Sequence, residues 1–398
     1  MAQSRVGVLI FHPANVFGGA ERTVMNLLSH VARDRVRVVL VGRPEVFRDP
    51  PADAFHSLAE LGLDDGFAGL PRAVRDARIL TALARREDCR VMLGMLHYGA
   101  IVAPLCRLFS GGRLRTIASP RTPSSEGIRF HVGEGGRQAW LWRTMVSGFC
   151  RFSDRVLVAS DGLRRECVER FGARPERVRV VPNSVDDALI AFAAGITPRV
   201  REHAESGRPW HIVTAGRLAP EKDLGTLIRA FALLRASLDA RLEIIGSGPE
   251  LPALQALAAE LGVGDRIDFA GFTPRPLERI READVFVHTA LFEGFGNVLL
   301  EAMACGVPLI ATDCDFGPRE IVRDGVNGRL VRMSDPAHLA AVLAEVLDDA
   351  PQRARLADTA LQAIRDYSAE RMAEGYERLF AELGWERSGS SASHTRGS

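Results

Sequence analysis

Lysine is almost absent from this chain: of its 51 basic residues, 50 are arginine and one, Lys222, is lysine. An ammonium group is a compact point charge, whereas a guanidinium is a wide planar fork, so a tight phosphate site can accept the first and exclude the second. The single lysine therefore predicts an anion-binding role for Lys222, with a chance survivor as the alternative.

Patterns for metal ions, disulfides and membrane spans are also lacking. The six cysteines form no CxxC pair and have no accompanying histidine cluster, which predicts reduced structural thiols. No apolar run approaches the roughly 18 to 20 residues that cross a bilayer, and the N-terminal run stops at His12 and Pro13, too early for a signal-peptide core. We therefore expect a cytoplasmic protein without a metal ion or cofactor.

The length of 398 residues predicts two compact units of about 150 to 200 residues each. Residues 1–190 alternate short apolar strands with amphipathic helices, and the pattern restarts over 191–368, which predicts parallel βαβ units in both. We expect two Rossmann-like, doubly wound α/β domains facing a cleft. A helix at about 369–386 is expected to pack back on the first domain, and 387–398 to form a disordered tail.

Charge is divided unevenly between these halves. Residues 1–190 contain 28 arginines and 20 acidic residues, a net charge of +8, which leaves −7 for the remainder of a chain whose total is +1. The basic half predicts an anionic partner. Because no nucleic-acid-binding motif is present, a phosphorylated acceptor or an anionic membrane surface is favoured over nucleic acid.

The segment FEGFGNVLLEAMA places Glu293 and Glu301 on either side of a glycine-containing helix start. Free N–H groups at such a start bind anions, and the helix dipole favours phosphate there. Apolar neighbours predict that Glu301 is a buried carboxylate that needs donors. Ribose and sugar hydroxyls are such donors, so the segment predicts a sugar-nucleotide site; a solvent-facing Glu301 is the alternative.

A second loop, GRLAPEKDLG, places Arg217 just after a predicted strand and Lys222 before the next helix. Open α/β sheets bind ligands at the carboxyl ends of their strands, and two cations there can neutralise a diphosphate. The alternatives are a carboxylate partner for Arg217 and a solvated loop position for Lys222.

These segments, together with FGGAERTVMNLL, VRVVPNSVDD and GPREIVRDGVNGRLV, resemble the large retaining glycosyltransferase family four, which has the GT-B fold. The resemblance implies that Arg217 and Lys222 bind the donor diphosphate, and that Glu293 contacts the hexose and Glu301 the ribose. It also implies that backbone amides lie near phosphate and sugar, namely those of Gly294, Phe295, Gly296, Asn297 and Val298.

The resemblance further implies metal-independent transfer of a hexose or N-acetylhexosamine, with retention, from a nucleotide sugar to a glycan or lipid-linked acceptor. The sequence is similar to bacterial enzymes of surface-polysaccharide or lipid-linked oligosaccharide synthesis. Such enzymes favour a UDP-sugar as the donor, with GDP-mannose second. The catalytic group would be Arg217, Lys222, Glu293 and His97.

Four residues in three segments of the first half have further assignments. Gly18 and Gly19 open a helix after the first strand, so their amides are expected at the donor phosphate or the acceptor, with a packing turn as the alternative. His97 follows an apolar strand, where the resemblance implies contact with a donor hydroxyl; the family's usual H-x-H phrase is replaced by GMLHYG, and a structural histidine is equally expected. Arg121 is expected in a salt bridge, with an acceptor phosphate as the alternative.

The segment 128–152 interleaves arginine with tryptophan and phenylalanine. An amphipathic packing helix is favoured for it, and peripheral contact with the inner face of the cell membrane is the alternative. Two rival functions also stay open. One is a metal-dependent transferase that uses the D-x-D of Asp313 and Asp315; the other is a sugar-nucleotide epimerase or a non-catalytic sugar-nucleotide-binding protein of the same fold.

Overall fold

The computed structural model describes residues 5–15, 18–63, 66–133, 135–198, 207–235 and 238–385, which form two compact units. The first unit contains the described residues up to Ala159, then Leu163–Ser184 and the segment from Ala369 onward; the second contains Ser160–Gly162 and Val185–Ser368. The tail predicted at 387–398 and Phe17 of the glycine loop lie outside the described residues.

The sheet of the first unit has seven parallel strands in the order β3-β2-β1-β4-β5-β6-β7. These are β1 Val6–Phe11, β2 Val36–Gly42, β3 Ala54–Ser57, β4 Val91–Met95, β5 Arg115–Ser119, β6 Arg155–Val158 and β7 Val178–Val180. Every residue of β1 is buried, as expected for an apolar run in a parallel sheet covered on both faces. The strand order reverses between β1 and β4, and such switch points are where α/β sheets bind ligands.

The sheet of the second unit has six parallel strands in the order β10-β9-β8-β11-β12-β13. These are β8 Trp210–Ala215, β9 Ala240–Ile245, β10 Ile267–Gly271, β11 Val285–His288, β12 Leu309–Thr312 and β13 Arg329–Val331. Its strand order reverses between β8 and β11, which defines a second switch point. The predicted pair of doubly wound α/β domains is confirmed.

Helices cover the faces of both sheets. In chain order they are α1 Gly19–His30, α2 Leu70–Arg86, α3 Leu96–Phe109, α4 Ser124–His131, α5 Gly136–Phe152, α6 Asp161–Arg165, α7 Asp187–Ala194, α8 Leu224–Arg235, α9 Leu251–Glu260, α10 Pro276–Arg281, α11 Asn297–Ala304, α12 Pro318–Ile321, α13 Pro336–Asp348, α14 Ala350–Ala363 and α15 Ala369–Trp385. Within the described ranges, none of these helices is both long enough and apolar enough for a membrane span.

The C-terminal helix α15 belongs to the first unit. Its Tyr376 and Phe380 are fully buried, in the same apolar cluster as residues of β1 and α1 such as Ile10 and Leu27. Burying two aromatic side chains contributes several kcal/mol, at about 1.5 to 3 kcal/mol for a fully buried large apolar group. This helix therefore closes the face of the sheet against which α1 also lies.

Candidate functional site

A buried group of charged side chains lies at the carboxyl end of β11. His288 is the last residue of that strand, and Glu293 follows in the loop that leads to α11. Lys222 Nζ donates a hydrogen bond to Glu293 Oε1, and His288 Nε2 lies 2.9 Å from the same oxygen. The side chain of Lys222 is 19% exposed and that of Glu293 15%. One carboxylate is thus held by two basic groups in a largely buried setting.

These neighbours fix the ionisation state of Glu293. Burial opposes the charged form, but the Lys222 ammonium, together with His288 whose Nε2 lies 2.9 Å away, outweighs burial and lowers the pKa of Glu293 to about 2. Glu293 is therefore an anion near neutral pH. An ionised carboxylate accepts hydrogen bonds and cannot donate them, so it is suited to hydroxyl ligands.

The backbone around Lys222 is fixed by several hydrogen bonds. Lys222 ends a 3-10 turn, Pro220–Lys222, and Asp223 follows in the left-handed conformation with φ of 44°. Asp223 Oδ2 accepts from Thr226 Oγ1 at 2.8 Å, and Thr289 Oγ1 donates to the carbonyl of Lys222 at 2.8 Å. The ammonium is consequently held in place before any ligand arrives, which is the condition for electrostatic stabilisation without reorganisation.

Arg217 lies two residues after β8, in a loop that packs tightly on the loop after β9. A Cβ on Gly246, whose φ is 137°, would lie 1.8 Å from the carbonyl oxygen of Gly216, so only glycine allows this approach. The Arg217 side chain is 67% exposed and donates to Glu221 Oε1 at 2.5 Å. The alternative of a carboxylate partner for Arg217 is therefore realised, by Glu221. Arg217 also lines one small pocket together with Lys222 and His288.

Helix α11 begins where the sequence predicts it. Gly296 precedes the helix with φ of 103° and ψ of 50°, a conformation that favours glycine. Glu301, however, is half-buried rather than buried as predicted. The prediction was wrong because the apolar neighbours of Glu301 in sequence lie on other faces of the helix, where Leu300 and Ala302 are fully buried.

The loop between Glu293 and α11 is also enclosed. Gly294, Phe295 and Gly296 are buried, whereas Asn297 and Val298 at the start of the helix are half-buried. The Phe295 ring packs edge-on against Tyr367 with centroids 5.9 Å apart. Of the predicted site residues in the second unit, the structure joins Lys222 to Glu293 directly. The start of α11 follows Glu293 in the chain.

The D-x-D triplet has basic partners. Arg319 Nε donates to Asp313 Oδ1 at 2.6 Å, and Arg319 Nη1 donates to Asp315 Oδ1 at 2.7 Å. Both carboxylates thus share one guanidinium, and Cys314 between them is fully buried. This arrangement favours a structural loop over a pair of carboxylates directed at a metal ion.

In the first unit, His97 follows a strained residue at the end of β4. Leu96 has φ of 60°, which is rare for a bulky side chain and marks strain of the kind found at functional sites. His97 Nε2 lies 2.9 Å from Ser124 Oγ. Burial lowers the pKa of His97 to about 4, so the ring is neutral near neutral pH.

The glycine loop and Arg121 lie in a polar group of the same unit. Gly18 N donates to Glu21 Oε2 at 2.8 Å and so closes a capping interaction at the start of α1, which begins at Gly19. Arg121 is 6% exposed and donates to Asn183 Oδ1. Its hydrogen bonds within the described residues join neutral groups, so the salt bridge expected for Arg121 does not appear among them.

Two histidines near the predicted residues were not singled out from the sequence. His288 ends an apolar strand, VFVHT, shortly before Glu293, and that placement was the available signal. His12 follows β1 and is fully buried; within the described residues neither ring nitrogen has a hydrogen-bond partner, and Nε2 lies 3.5 Å from Glu21 Oε1. Burial and the nearby Arg121 lower the pKa of His12 to about 3.

Solved structures define the class of fold. HepE of Anabaena in complex with UDP superposes with a TM-score of 0.74, covering 95% of this chain and 100% of that one at 18% identity. A sucrose-phosphate synthase from Thermosynechococcus elongatus gives a TM-score of 0.73, covering 95% and 99% at 19% identity. The chain therefore has the fold of the GT-B glycosyltransferases.

Two family models match the chain, one in each half. Residues 17–189 match Glycosyltransferase Family 4, and residues 197–363 match Glycosyl transferases group 1. The chain belongs to the glycosyltransferases that combine these two domains, and the resemblance to family four is confirmed.

Curated relatives of several kinds match. A D-inositol 3-phosphate glycosyltransferase of Thermomonospora curvata is 36% identical over 245 residues, which cover 56% of this chain and 57% of that protein. The chain thus matches little more than half the length of that relative. N-acetylgalactosamine-N,N'-diacetylbacillosaminyl-diphospho-undecaprenol 4-alpha-N-acetylgalactosaminyltransferase of Campylobacter jejuni is 28% identical over 358 residues, covering 87% of this chain and 90% of that protein.

Proposed function

We propose that this protein is a retaining glycosyltransferase that moves a hexose or N-acetylhexosamine from a nucleotide sugar to a glycan or lipid-linked acceptor. A UDP-sugar is the favoured donor and GDP-mannose the second. The observation that carries this proposal is the convergence of Lys222 and His288 on the ionised Glu293, next to the α11 helix start, in a chain of this family.

The donor is assigned to the second unit. Lys222 and Arg217 bind the diphosphate as fixed cations, and the amides at the α11 start add helix-dipole stabilisation. Glu293 accepts hydrogen bonds from hexose hydroxyls because it is ionised. Glu301, half-buried one turn into α11, accepts from the ribose. Each role matches the charge and burial of the group that performs it.

The reaction needs no enzymatic nucleophile in this proposal. The acceptor hydroxyl attacks the anomeric carbon on the face that the leaving diphosphate occupies, through a transition state with oxocarbenium character. The bond from that carbon to the diphosphate oxygen breaks, and the proton of the hydroxyl passes to the departing diphosphate. Arg217 and Lys222 stabilise the charge that develops on the diphosphate. Neutral His97 hydrogen-bonds a donor hydroxyl. Of the two glycine amides, that of Gly19 approaches donor phosphate or acceptor, because the Gly18 amide already donates to Glu21.

The acceptor is assigned to a glycan or a lipid-linked diphosphate glycan. The Campylobacter jejuni relative, which matches along most of both chains, is named for transfer to a diphospho-undecaprenol-linked sugar. The excess of arginine in residues 1–190, a net charge of +8, favours an acceptor that carries phosphate.

A thermal-shift panel of UDP-, GDP- and ADP-sugars tests the donor assignment. A ligand that binds only the folded protein raises its unfolding midpoint, and free ligand at 100 times Kd adds about 2.7 kcal/mol of stability. We expect UDP-sugars to raise the midpoint most. A larger shift with GDP-mannose would identify GDP-mannose as the donor. The absence of a shift with every nucleotide sugar would contradict the proposal that the site binds one.

The chemistry is tested with the donor that this panel selects. We expect initial rates to be unchanged by a chelator, because Arg217 and Lys222 supply the positive charge that a metal ion supplies elsewhere. The anomeric configuration of the product, measured by NMR, should equal that of the donor. Activity that is lost with the chelator and restored by Mg²⁺ or Mn²⁺ would contradict metal independence, and a changed sugar without any acceptor would indicate an epimerase.

A further inference from the structure

Helix α5 presents three large apolar side chains to solvent. Trp140 is 68% exposed, Leu141 46% and Phe152 67%. They are three of the eleven exposed large apolar side chains among the described residues, and all three lie in one helix of 17 residues. Scattered single apolar residues are normal on a surface, whereas such a concentration marks an interaction site.

The exposed residues share the outer face of α5. Ala139, Val146 and Phe149 are buried and attach the opposite face of the helix to the first unit. Trp142 also turns inward, since its ring packs on Phe67 with centroids 5.6 Å apart. Trp142 thus helps to attach α5 to the first unit, whereas Trp140 faces solvent.

The charge on this helix has one sign. Arg137, Arg143 and Arg151 are all exposed, and residues 136–152 contain no acidic residue. A helix with exposed aromatic and aliphatic residues among arginines suits the boundary between lipid headgroups and acyl chains. Guanidinium groups attract anionic headgroups, whereas a protein partner would have to match both the apolar and the basic groups.

We propose that the outer face of α5 docks onto the surface of a bilayer that contains anionic lipids. Trp140, Leu141 and Phe152 enter the headgroup boundary, and the three arginines pair with lipid phosphates. Such docking would hold the protein next to acceptors embedded in the same membrane. The proposal goes beyond the sugar-transfer function and does not depend on the donor site.

Flotation with lipid vesicles tests this docking on the full chain. We expect binding to vesicles of phosphatidylcholine mixed with phosphatidylglycerol, little binding to phosphatidylcholine alone, and weaker binding at higher salt. The combined variant Arg137→Gln, Arg143→Gln and Arg151→Gln should partition about 100-fold less strongly, because each basic residue near an anionic surface contributes roughly five-fold.

A matched control removes the same charge elsewhere. Arg241, Arg355 and Arg365 are exposed residues of the second unit, and their replacement by Gln should leave flotation unchanged. Equal losses in both triple variants would show that only net charge matters and would overturn the assignment to α5.

Trp140 tests the apolar part of the surface. Trp140→Ser should weaken flotation, whereas Trp140→Phe should keep most of it while removing the blue shift of tryptophan fluorescence that vesicles cause. Flotation of Trp140→Ser equal to that of the unaltered chain would contradict docking through this face. A dimer in sedimentation experiments that Trp140→Ser dissociates would assign the face to a second copy of the chain, which also overturns the proposal.

Discussion

Replacement of Lys222 by Ala is expected to lower kcat/KM for sugar transfer by about 10²- to 10³-fold, the usual cost of removing one donor that stabilises transition-state charge. Lys222 is the cation most enclosed by the candidate site, since its side chain is 19% exposed and its ammonium contacts Glu293. Arg217, at 67% exposed, is better screened by water, so its replacement should cost less. The measurement is initial-rate kinetics with the donor that the thermal-shift panel selects.

The same substitution also affects Glu293, and the experiment must separate the two effects. Without the ammonium, Glu293 loses a main cause of its lowered pKa and becomes a buried charge with fewer partners, which destabilises a fold. Lys222→Ala should therefore be compared with the double variant that carries both Lys222→Ala and Glu293→Gln, because the double variant leaves no unpaired charge. If the double variant restores the unfolding midpoint but remains much less active than Glu293→Gln alone, Lys222 acts on the reaction itself. Arg241→Ala, at an exposed position of the same unit, is the control.

Lys222→Arg tests whether a compact charge is required at this position. Arginine keeps the positive charge but brings a wide planar fork, and the Lys222 backbone is fixed by its bond from Thr289 and by the turn at Asp223. We expect activity clearly below that of the unaltered chain. Full activity would show that charge alone suffices and that the single lysine of the sequence has no structural cause.

Much of the fold could be predicted because local sequence patterns indicate its strands. Apolar runs such as VGVLIF and VRVVLVG are continuous, and such runs are typical of parallel strands buried on both faces. The short strands Ala54–Ser57 and Arg329–Val331 could not be predicted in this way, since they are only partly buried and their sequences do not alternate. Pairing with β2 and β12 makes these two segments strands, and a pairing partner elsewhere in the chain cannot be recognised from one segment.

Helix α3 could not be predicted from its own sequence for a different reason. Its residues LHYGAIVAPLC continue the apolar run of β4 without a turn signal, and no side chain caps its start at Met95. The chain changes direction at Leu96, where the backbone is strained. A Cβ on Gly94 would lie 2.1 Å from the carbonyl oxygen of Gly99, and a Cβ on Gly99 would lie 3.2 Å from the carbonyl oxygen of Phe11, so the start of α3 packs closely on β4 and β1. The approach to Phe11 is a contact between residues far apart in sequence, which periodicity does not report.

The candidate site likewise combines local features, which a sequence can indicate, with a contact between distant residues, which it cannot. The glycine before α11 is a local feature, and the helix begins where the sequence predicts it. The donor-binding roles of Glu293 and Glu301 stay predictions, and Glu301 is half-buried rather than buried. The ion pair between Lys222 and Glu293 joins residues 71 positions apart, and it is set by the alignment of β8 beside β11. The sequence assigned these two side chains to different parts of a donor, whereas the structure brings them into direct contact.

Glu293→Gln is expected to separate the affinity for a nucleotide sugar from that for the nucleotide alone. If Glu293 binds the hexose, loss of its charge-assisted hydrogen bonds should weaken the UDP-sugar by about tenfold or more and lower kcat. Binding of UDP should stay unchanged or become tighter, because Lys222 no longer shares its charge with a carboxylate. Titration calorimetry with both ligands measures the two affinities.

Glu301→Gln is the matched comparison, because it removes the same charge from a residue assigned to the ribose. That contact exists in both ligands, so UDP and UDP-sugar should weaken by the same factor. Equal weakening of both ligands in Glu293→Gln would contradict the hexose assignment and would place Glu293 at the diphosphate, acting through Lys222. A selective loss in Glu293→Gln alone would instead require that this ionised, largely buried carboxylate touches the sugar, since nothing else distinguishes the two ligands.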